Sequence, residues 1–392
     1  MEWNVIRDLF LITGMVSLFF LIIVVNKKRK GFIKVLLLLI LSQAFFFFLL
    51  FYSIYHKYYT FAGISFLFGN GTGTFLAPIV YFFCIAVVSN NKKFVKKFWL
   101  HLIPYFIKVL VYNLPTSIAF IFGIKPWFAD LSFYLPRYAN ISENFYFLVY
   151  AVLALILLKR IEKATKFEYS NLKHRDLSWL RYFIIGNSFL VIIDTVFSFY
   201  KIFNEDATVN YLTELVVFGY VLHYLLLAYK GVFQSNILLP EFLLNNISLS
   251  NITTNIEVKS SEQNNNLTTN ANNEIVFSEI EIYNINKALN KQLKEKKIFL
   301  NETLRLKDLA KEMDISEKKL SQFINQELNL NFYTLVNQCR VEEVKNKIAS
   351  GNFEHLSILG IAMNSGFQSK SSFNRIFKHH TGKSPSEFRK TL

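Results

Sequence analysis

Cysteine is nearly absent: 392 residues contain two, Cys84 within an apolar run and Cys339 near the far end. Thiols so distant in sequence exclude a disulfide framework and offer no paired cysteines for zinc. Catalytic spacings are missing as well. The apolar part holds no His-Glu-x-x-His, no nucleophile elbow and no carboxylate pair, so neither an enzyme nor a metal or cofactor site is expected. The Gly-rich stretch "FGNGTGTFLAP" has no lysine at phosphate-loop spacing; small residues that let helices pack closely explain it better. Negative charge is also scarce, with 28 Asp and Glu against 43 Lys and Arg, a formal balance of +15.

Apolar residues are abundant: 52% of the chain, 42 of them Phe, with a mean hydropathy of +0.29. A soluble domain carries about 45–50% apolar residues including glycine. The excess lies before Gln234 and is gone after Leu244. Two physically different halves joined by a linker are therefore expected. A membrane span needs about 20 mainly apolar residues. Seven stretches qualify or come close: 9–25, 32–52, 61–88, 99–123, 144–158, 179–200 and 211–233. The fifth is short, and the third is interrupted by the Gly-rich stretch. Pro78 and Pro104 are expected to kink their helices.

Loops that follow the first, third and fifth runs are basic: "NKKRKGFIK", "NNKKFVKK" and "KRIEKATKFEYSNLKHR". The alternate loops are poor in Lys and Arg. Basic loops stay in the cytoplasm, so the N-terminus is expected outside and the C-terminal part inside, at the inner membrane. Polar residues expected at membrane depth are Asn187, Asp194, Glu214 and His223. An ionisable group in hydrocarbon is a functional candidate by default, and Asp194 with Asn187 forms the candidate sensing site. The plainer reading of Asp194 is a hydrogen bond between helices or a place near the outer interface.

Residues 245–273 are rich in Asn, Ser and Thr and lack a periodic apolar face, which predicts a flexible tether. A coil of that length spans on the order of 30 Å. Its Asn-x-Ser/Thr triplets would stay unmodified on the cytoplasmic side. The expected domains are thus 1–236, a linker over 237–278, and 279–392.

The last part repeats itself at an offset of about 52 residues. Leu304, Leu306, Leu309 and Ala310 correspond to Leu356, Ile358, Ile361 and Ala362. Ser316 and Ser369 stand where a helix N-cap is needed. Apolar residues then follow at one-face spacing: Leu320, Phe323 and Ile324, and Phe373, Ile376 and Phe377. The opposite faces carry Lys318, Lys319, Gln322 and Asn325, and Lys370, Ser371, Asn374, Arg375 and Lys378. Short amide, hydroxyl and cationic side chains suit base edges and phosphates. Each copy reads as a helix-turn-helix, with Gly366 supplying a positive φ in the second turn, and Asn329 and Gly382 as αL-capable caps. A plain amphipathic helical bundle is the competing reading.

The stretch "IAMNSGFQSKSSFNRIFKHHTGKSPSEFRK" resembles the second unit of the AraC/XylS-type DNA-binding domain, and "DLAKEMDISEKKLSQFI" its first. Ile361, Ala362, Gly366, Phe367, Ser369, Ser371, Phe373, Arg375, Phe377, Lys378, Gly382, Ser384, Pro385, Phe388 and Arg389 match the family pattern. Gly360 departs from it, standing where an acidic residue is frequent; Arg340 stands at the usual arginine of the connecting helix. The resemblance covers about 282–390. It implies seven helices and two reading helices for successive major grooves of double-stranded promoter DNA. Base-edge candidates are Glu317, Lys318, Ser321 and Gln322, and Lys370, Ser371 and Asn374; phosphate candidates are Arg375, Lys378 and Lys383.

The expected fold is all-α: a seven-helix transmembrane bundle followed by a cytoplasmic all-helical domain with two helix-turn-helix units. The expected function is a regulator embedded in the lipid bilayer, with a sensing bundle for a small-molecule or envelope signal. A homodimer and contact with RNA polymerase accompany that expectation. The alternatives are a transporter or membrane enzyme with a DNA-binding appendage, and a bare anchor.

Overall fold

The structure is a computed structural model and describes residues 2–26, 31–88, 92–129, 134–172, 175–204, 210–233, 239–240, 242–243, 275–351, 353 and 355–391. The tether at 245–273 lies outside the described residues. The chain forms two compact units. One holds Met1–Lys159 and Leu177–Leu238, the other Arg160–Asp176 and Leu239–Leu392. Residues 160–176, assigned by sequence to the apolar half, thus pack with the C-terminal unit.

In the first unit the helices are α1 (Glu2–Asn26), α2 (Phe32–Tyr55), α3 (Tyr59–Gly69), α4 (Thr72–Val88), α5 (Lys92–His101), α6 (Ile103–Lys108), α7 (Leu114–Phe122), α8 (Tyr134–Glu168), α9 (Ser178–Phe203) and α10 (Asn210–Phe233). A π-helical turn, Val109–Asn113, joins α6 to α7. All seven apolar stretches are mainly helical, the third and fourth with breaks. Five helical segments are long and apolar enough to cross a membrane: Leu9–Asn26, Phe32–Tyr55, Ile103–Phe122, Arg137–Glu168 and Ser178–Phe203. The third stretch is a broken pair, α3 and α4, bent by 42°, and in α10 the described apolar segment is the shorter Phe218–Phe233. The fifth stretch, short by hydropathy, is the longest helix, because its ends continue as amphipathic turns.

The break between α3 and α4 is where the Gly-rich stretch acts. A Cβ on Gly69 would meet the α2 backbone at Phe46 within 2.5 Å, and one on Gly73 the Glu143 carbonyl oxygen within 2.6 Å. Only glycine admits such approach. The backbone groups freed at the break find side-chain partners, as an apolar environment demands. Gln43 donates to the Gly69 carbonyl at 3.0 Å and to Thr72 Oγ1 at 3.1 Å, while Tyr224 donates to Gln43 Oε1 at 2.7 Å. Asn113 donates to the Asn70 carbonyl at 3.0 Å. Pro104, expected to kink a helix, instead occupies the first turn of α6, where its missing N–H has no intrahelical acceptor to lose.

Seven α-helices are described in the C-terminal unit: α11 (Glu279–Asn290), α12 (Leu306–Glu312), α13 (Glu317–Gln326), α14 (Phe332–Ala349), α15 (Ile358–Met363), α16 (Lys370–Thr381) and α17 (Pro385–Lys390). Two apolar clusters form its core. One gathers Leu306, Leu309, Leu320, Phe323 and Val336; the other gathers Val341, Val344, Ile361, Phe367, Phe373 and Phe377. Helix α14 contributes to both, its first half to one and its second half to the other. Among the described residues no strand forms; an isolated antiparallel bridge joins Tyr169 and Arg305.

Between the clusters lies Arg340, 1% exposed. Its Nε donates to the Phe299 carbonyl at 2.8 Å and its Nη2 to the Asn301 carbonyl at 2.8 Å. Burial pulls its pKa down to about 10, so the guanidinium stays protonated at neutral pH. Gly366 sits against this cation with φ +91°, and a Cβ there would come within 2.6 Å of the Phe299 oxygen and 2.8 Å of Arg340 Nε. Gly366→Ala combines a strained φ with a backbone clash and is expected to destabilise the C-terminal unit by about 1–3 kcal/mol. A lowered melting temperature of the full-length chain checks it; an unchanged value refutes it.

Candidate nucleic-acid interface

The repeat seen in sequence recurs in hydrogen bonds. The Ile315 N–H donates to the Ala310 carbonyl at 3.1 Å, and the Phe367 N–H to the Ala362 carbonyl at 3.1 Å. Asp314 N–H and Gly366 N–H donate to Lys311 and Met363 carbonyls in the same register. Both turns need a positive φ: Gly366 supplies +91° and Asp314 +54°. Asp314 is aligned with Gly366 by the 52-residue offset and is among the few types that enter the left-handed region. The alignment alone would have identified it. Ala310 and Ala362 are buried against the following helix, the small side chain allowing close approach.

Helices α13 and α16 start at their serines as expected. Ser316 Oγ accepts the Lys319 N–H at 3.2 Å, and Ser369 Oγ accepts the Ser372 N–H at 3.3 Å. Helix α16 ends on Gly382 at φ +76°. Asn329 likewise takes φ +52° after α13. These caps orient the outward faces that follow from the apolar spacing.

On α16 the candidates share one exposed stripe. Lys370, Ser371, Asn374, Arg375 and Lys378 are all exposed, while Phe373, Ile376 and Phe377 point into the core. Arg375 Nη2 donates to the Tyr333 hydroxyl at 2.9 Å, which holds its guanidinium against α14. Tyr333 was not anticipated, because the contact spans 42 residues. Lys383 is exposed beyond the cap. On α13 the picture is less open. Lys318 is exposed, Glu317 and Gln322 are half-buried, and Ser321 is buried at 6% exposure. Lys319 is held by Glu281, 2.7 Å away. Cationic charge therefore gathers on α16, and α13 carries less. The α16 face is thus the more cationic of the two, the property that phosphate contacts require.

The intramembrane candidates lie in the first unit. Asp194 Oδ2 accepts from Asn140 at 2.7 Å and from Asn144 at 2.9 Å, and Asn140 also donates to Ser198 Oγ at 3.0 Å. The bond between helices, the plainer of the two sequence readings, is thus present. Asp194 also lines a cavity of about 440 Å³ with Asn140, Lys108, Arg137 and Lys201, walled by Phe66, Tyr112 and Phe197. Lys108 pairs with Glu143 of α8. Asn187 is buried away from these lining residues, and its Oδ1 has no hydrogen-bond partner. His223 bonds the Gly219 carbonyl one turn back. The side chain of Glu214 lies outside the described residues. Arg137 and Lys201 were missed because they sit outside or at the edge of a span in sequence, where a cation needs no special reason; Lys108, inside the fourth stretch, pairs with a residue 35 positions away.

Residues 309–391 match the family model described as Helix-turn-helix domain. An uncharacterized HTH-type transcriptional regulator of Staphylococcus aureus strain COL is 32% identical over 92 residues, 24% of this chain and 12% of that protein. The Msm operon regulatory protein of Streptococcus mutans is 31% identical over 90 residues, 23% of this chain and 31% of that protein. The chain thus spans 12% of the length of the first relative and 31% of the second. No solved structure matches. Together with the paired turns, these matches identify residues 309–391 as a helix-turn-helix domain.

Each cation that touches a phosphate adds about 0.9 to the slope of log affinity against log salt. Lys378→Ala is expected to lower that slope by about one, with little change in sequence preference. Fluorescence anisotropy on a fixed site at several salt concentrations measures it, and a parallel slope would remove Lys378 from the interface.

Proposed function

We propose that this chain is a membrane-bound, sequence-specific transcription regulator, with residues 1–236 as a sensing bundle and 279–392 binding promoter DNA. The observation that carries the reading is the twinned turn. Two units with superimposable hydrogen-bond registers end in N-capped helices, one with a fully exposed polar and cationic stripe. On this reading the base-edge set is Lys370, Ser371 and Asn374 on α16, with Glu317, Lys318 and Gln322 on α13. Ser321 joins them only if binding exposes it. Arg375, Lys378 and Lys383 serve phosphates, which set affinity and register without reading sequence.

Helices long and apolar enough to cross a bilayer support membrane insertion. The basic loops support an outside N-terminus and a cytoplasmic DNA-binding domain. Binding as a homodimer and contact with RNA polymerase fit this reading. Sensing is assigned to the Asp194 cavity, lined also by Asn140, Lys108, Arg137 and Lys201, with Lys108 paired to Glu143. Polar side chains set between aromatic walls suit a small solute that carries polar groups. Asn187 serves the packing of the bundle on this reading.

Lys370→Ala with Asn374→Ala should lower occupancy of specific sites by at least tenfold in chromatin precipitation of the full-length chain, at unchanged protein level. Undiminished enrichment would mean that α16 does not read bases. Asp194→Asn keeps the shape and replaces the carboxyl by an amide, and should change output from a reporter promoter. Output identical to the wild type under every growth condition would favour the bare anchor.

A further inference from the structure

The loop between α8 and α9 does not pass the C-terminal unit by. Tyr169 pairs with Arg305 in the antiparallel bridge, and the adjacent Ser170 N–H points at the Leu304 carbonyl at 3.4 Å. Ser170 Oγ donates to the same carbonyl at 2.6 Å. The Ser170 carbonyl accepts from Arg340 Nη1 at 3.3 Å and from Asn337 Nδ2 at 3.1 Å, and Ser170 Oγ accepts from Arg340 Nη2 at 3.3 Å. Glu168, its side chain 0% exposed, takes the Arg305 guanidinium at 2.9 Å from Nε and 2.7 Å from Nη2. The Tyr169 ring lies between two guanidiniums, Arg175 at 4.2 Å and Arg305 at 4.8 Å from its centroid.

Loops ordinarily run over the surface with their polar groups in water. Here Glu168, Tyr169, Ser170 and Asn171 are all buried. The repeat also departs from itself where they dock. In the second unit Ser357 caps α15 by accepting the Gly360 N–H at 3.0 Å. The matching position in the first unit is Arg305, which has no acceptor to offer. Asp308 takes the Arg305 N–H instead, at 3.0 Å, and the guanidinium is left for Glu168. The acidic residue of the family pattern, which Gly360 replaces in the second unit, thus does the capping in the first.

We propose that residues 168–171 are a built-in partner of the DNA-binding domain, a strap that completes the Arg340 site and ties the ends of α8 and α9 to the setting of the two reading helices. The inference rests on the DNA-binding reading above for its consequence, though not for the contact. Arg340 stands between the two cores, so what satisfies its guanidinium fixes how the units sit on α14. Docked, the strap supports the DNA-competent arrangement. Movement of either helix end in the bundle has a covalent path to Ser170.

The test uses the full-length chain in native membranes. Residues 169 and 305 face each other in a non-hydrogen-bonded pair, where Cβ separations suit a disulfide. Tyr169→Cys with Arg305→Cys, in a background with Cys84→Ala and Cys339→Ser, should cross-link under mild oxidation. No cross-link would overturn the docking. Separately, Glu168→Gln with Ser170→Ala should cut site occupancy at least tenfold with protein level unchanged, and the oxidised cysteine pair should retain more occupancy than its reduced form. Occupancy at or above wild type in the strap variant, or lower in the oxidised pair, would overturn the proposed consequence. Wild-type chain run alongside separates the two readings: absent enrichment there counts against DNA binding, while the cross-link still decides the docking.

Discussion

A single guanidinium, buried and charged, organises the C-terminal unit. Leaving Arg340 without acceptors in the interior would cost several kcal/mol, so its surroundings are constrained to supply them. The carbonyls of Phe299 and Asn301 turn towards it, and Ser170 adds a carbonyl and a hydroxyl from a distant part of the chain. Gly366 is glycine because both its φ and its distance from this cation forbid a side chain. The second turn, the connecting helix and the segment after α8 therefore share one anchor. A cation in this place sets orientation as much as stability, since hydrogen bonds are directional where apolar contact is not.

Two copies of one motif have diverged in what they present. Their cores, caps and turn bonds coincide, because burying the same apolar spacing admits few solutions. Their surfaces differ. Helix α16 shows an open stripe of Lys, Ser, Asn and Arg, whereas α13 buries Ser321 and commits Lys319 to Glu281. Such a division would let one helix dominate affinity and leave the other to adjust specificity. The first unit gives up a side-chain cap at Arg305 and takes a buried ion pair in its place, which makes it the half that answers to the rest of the chain.

In the apolar unit, helix breaks and polar side chains occur together. The α3–α4 break is relieved by Gln43, Tyr224 and Asn113, each reaching from another helix. Asp194 is held by two asparagine amides of α8. Those amide hydrogen bonds tie α9 to α8 at the cavity wall, which Lys108 of α6, Arg137 of α8 and Lys201 of α9 also line.

Composition and period sufficed for the broad layout: the apolar helices, the basic loops between them, the duplicated turns with their serine caps, and the stripe on α16. Those properties are local, set by hydrophobic spacing and by which residues tolerate a cap or a positive φ. Sequence also singled out Arg340 and Gly366, but as separate pattern matches. That they touch, that Tyr333 holds Arg375, that Ser321 turns inward, and that Lys108, Arg137 and Lys201 join Asp194 around one cavity depends on contacts between residues far apart in the chain. The same holds for Glu168 and Ser170, which read as part of a basic loop and prove to be core of the other unit. Periodicity reports the face a residue takes on its own helix; only the tertiary structure decides what meets that face, because buried charges and amides choose partners by geometry over distances of more than a hundred residues.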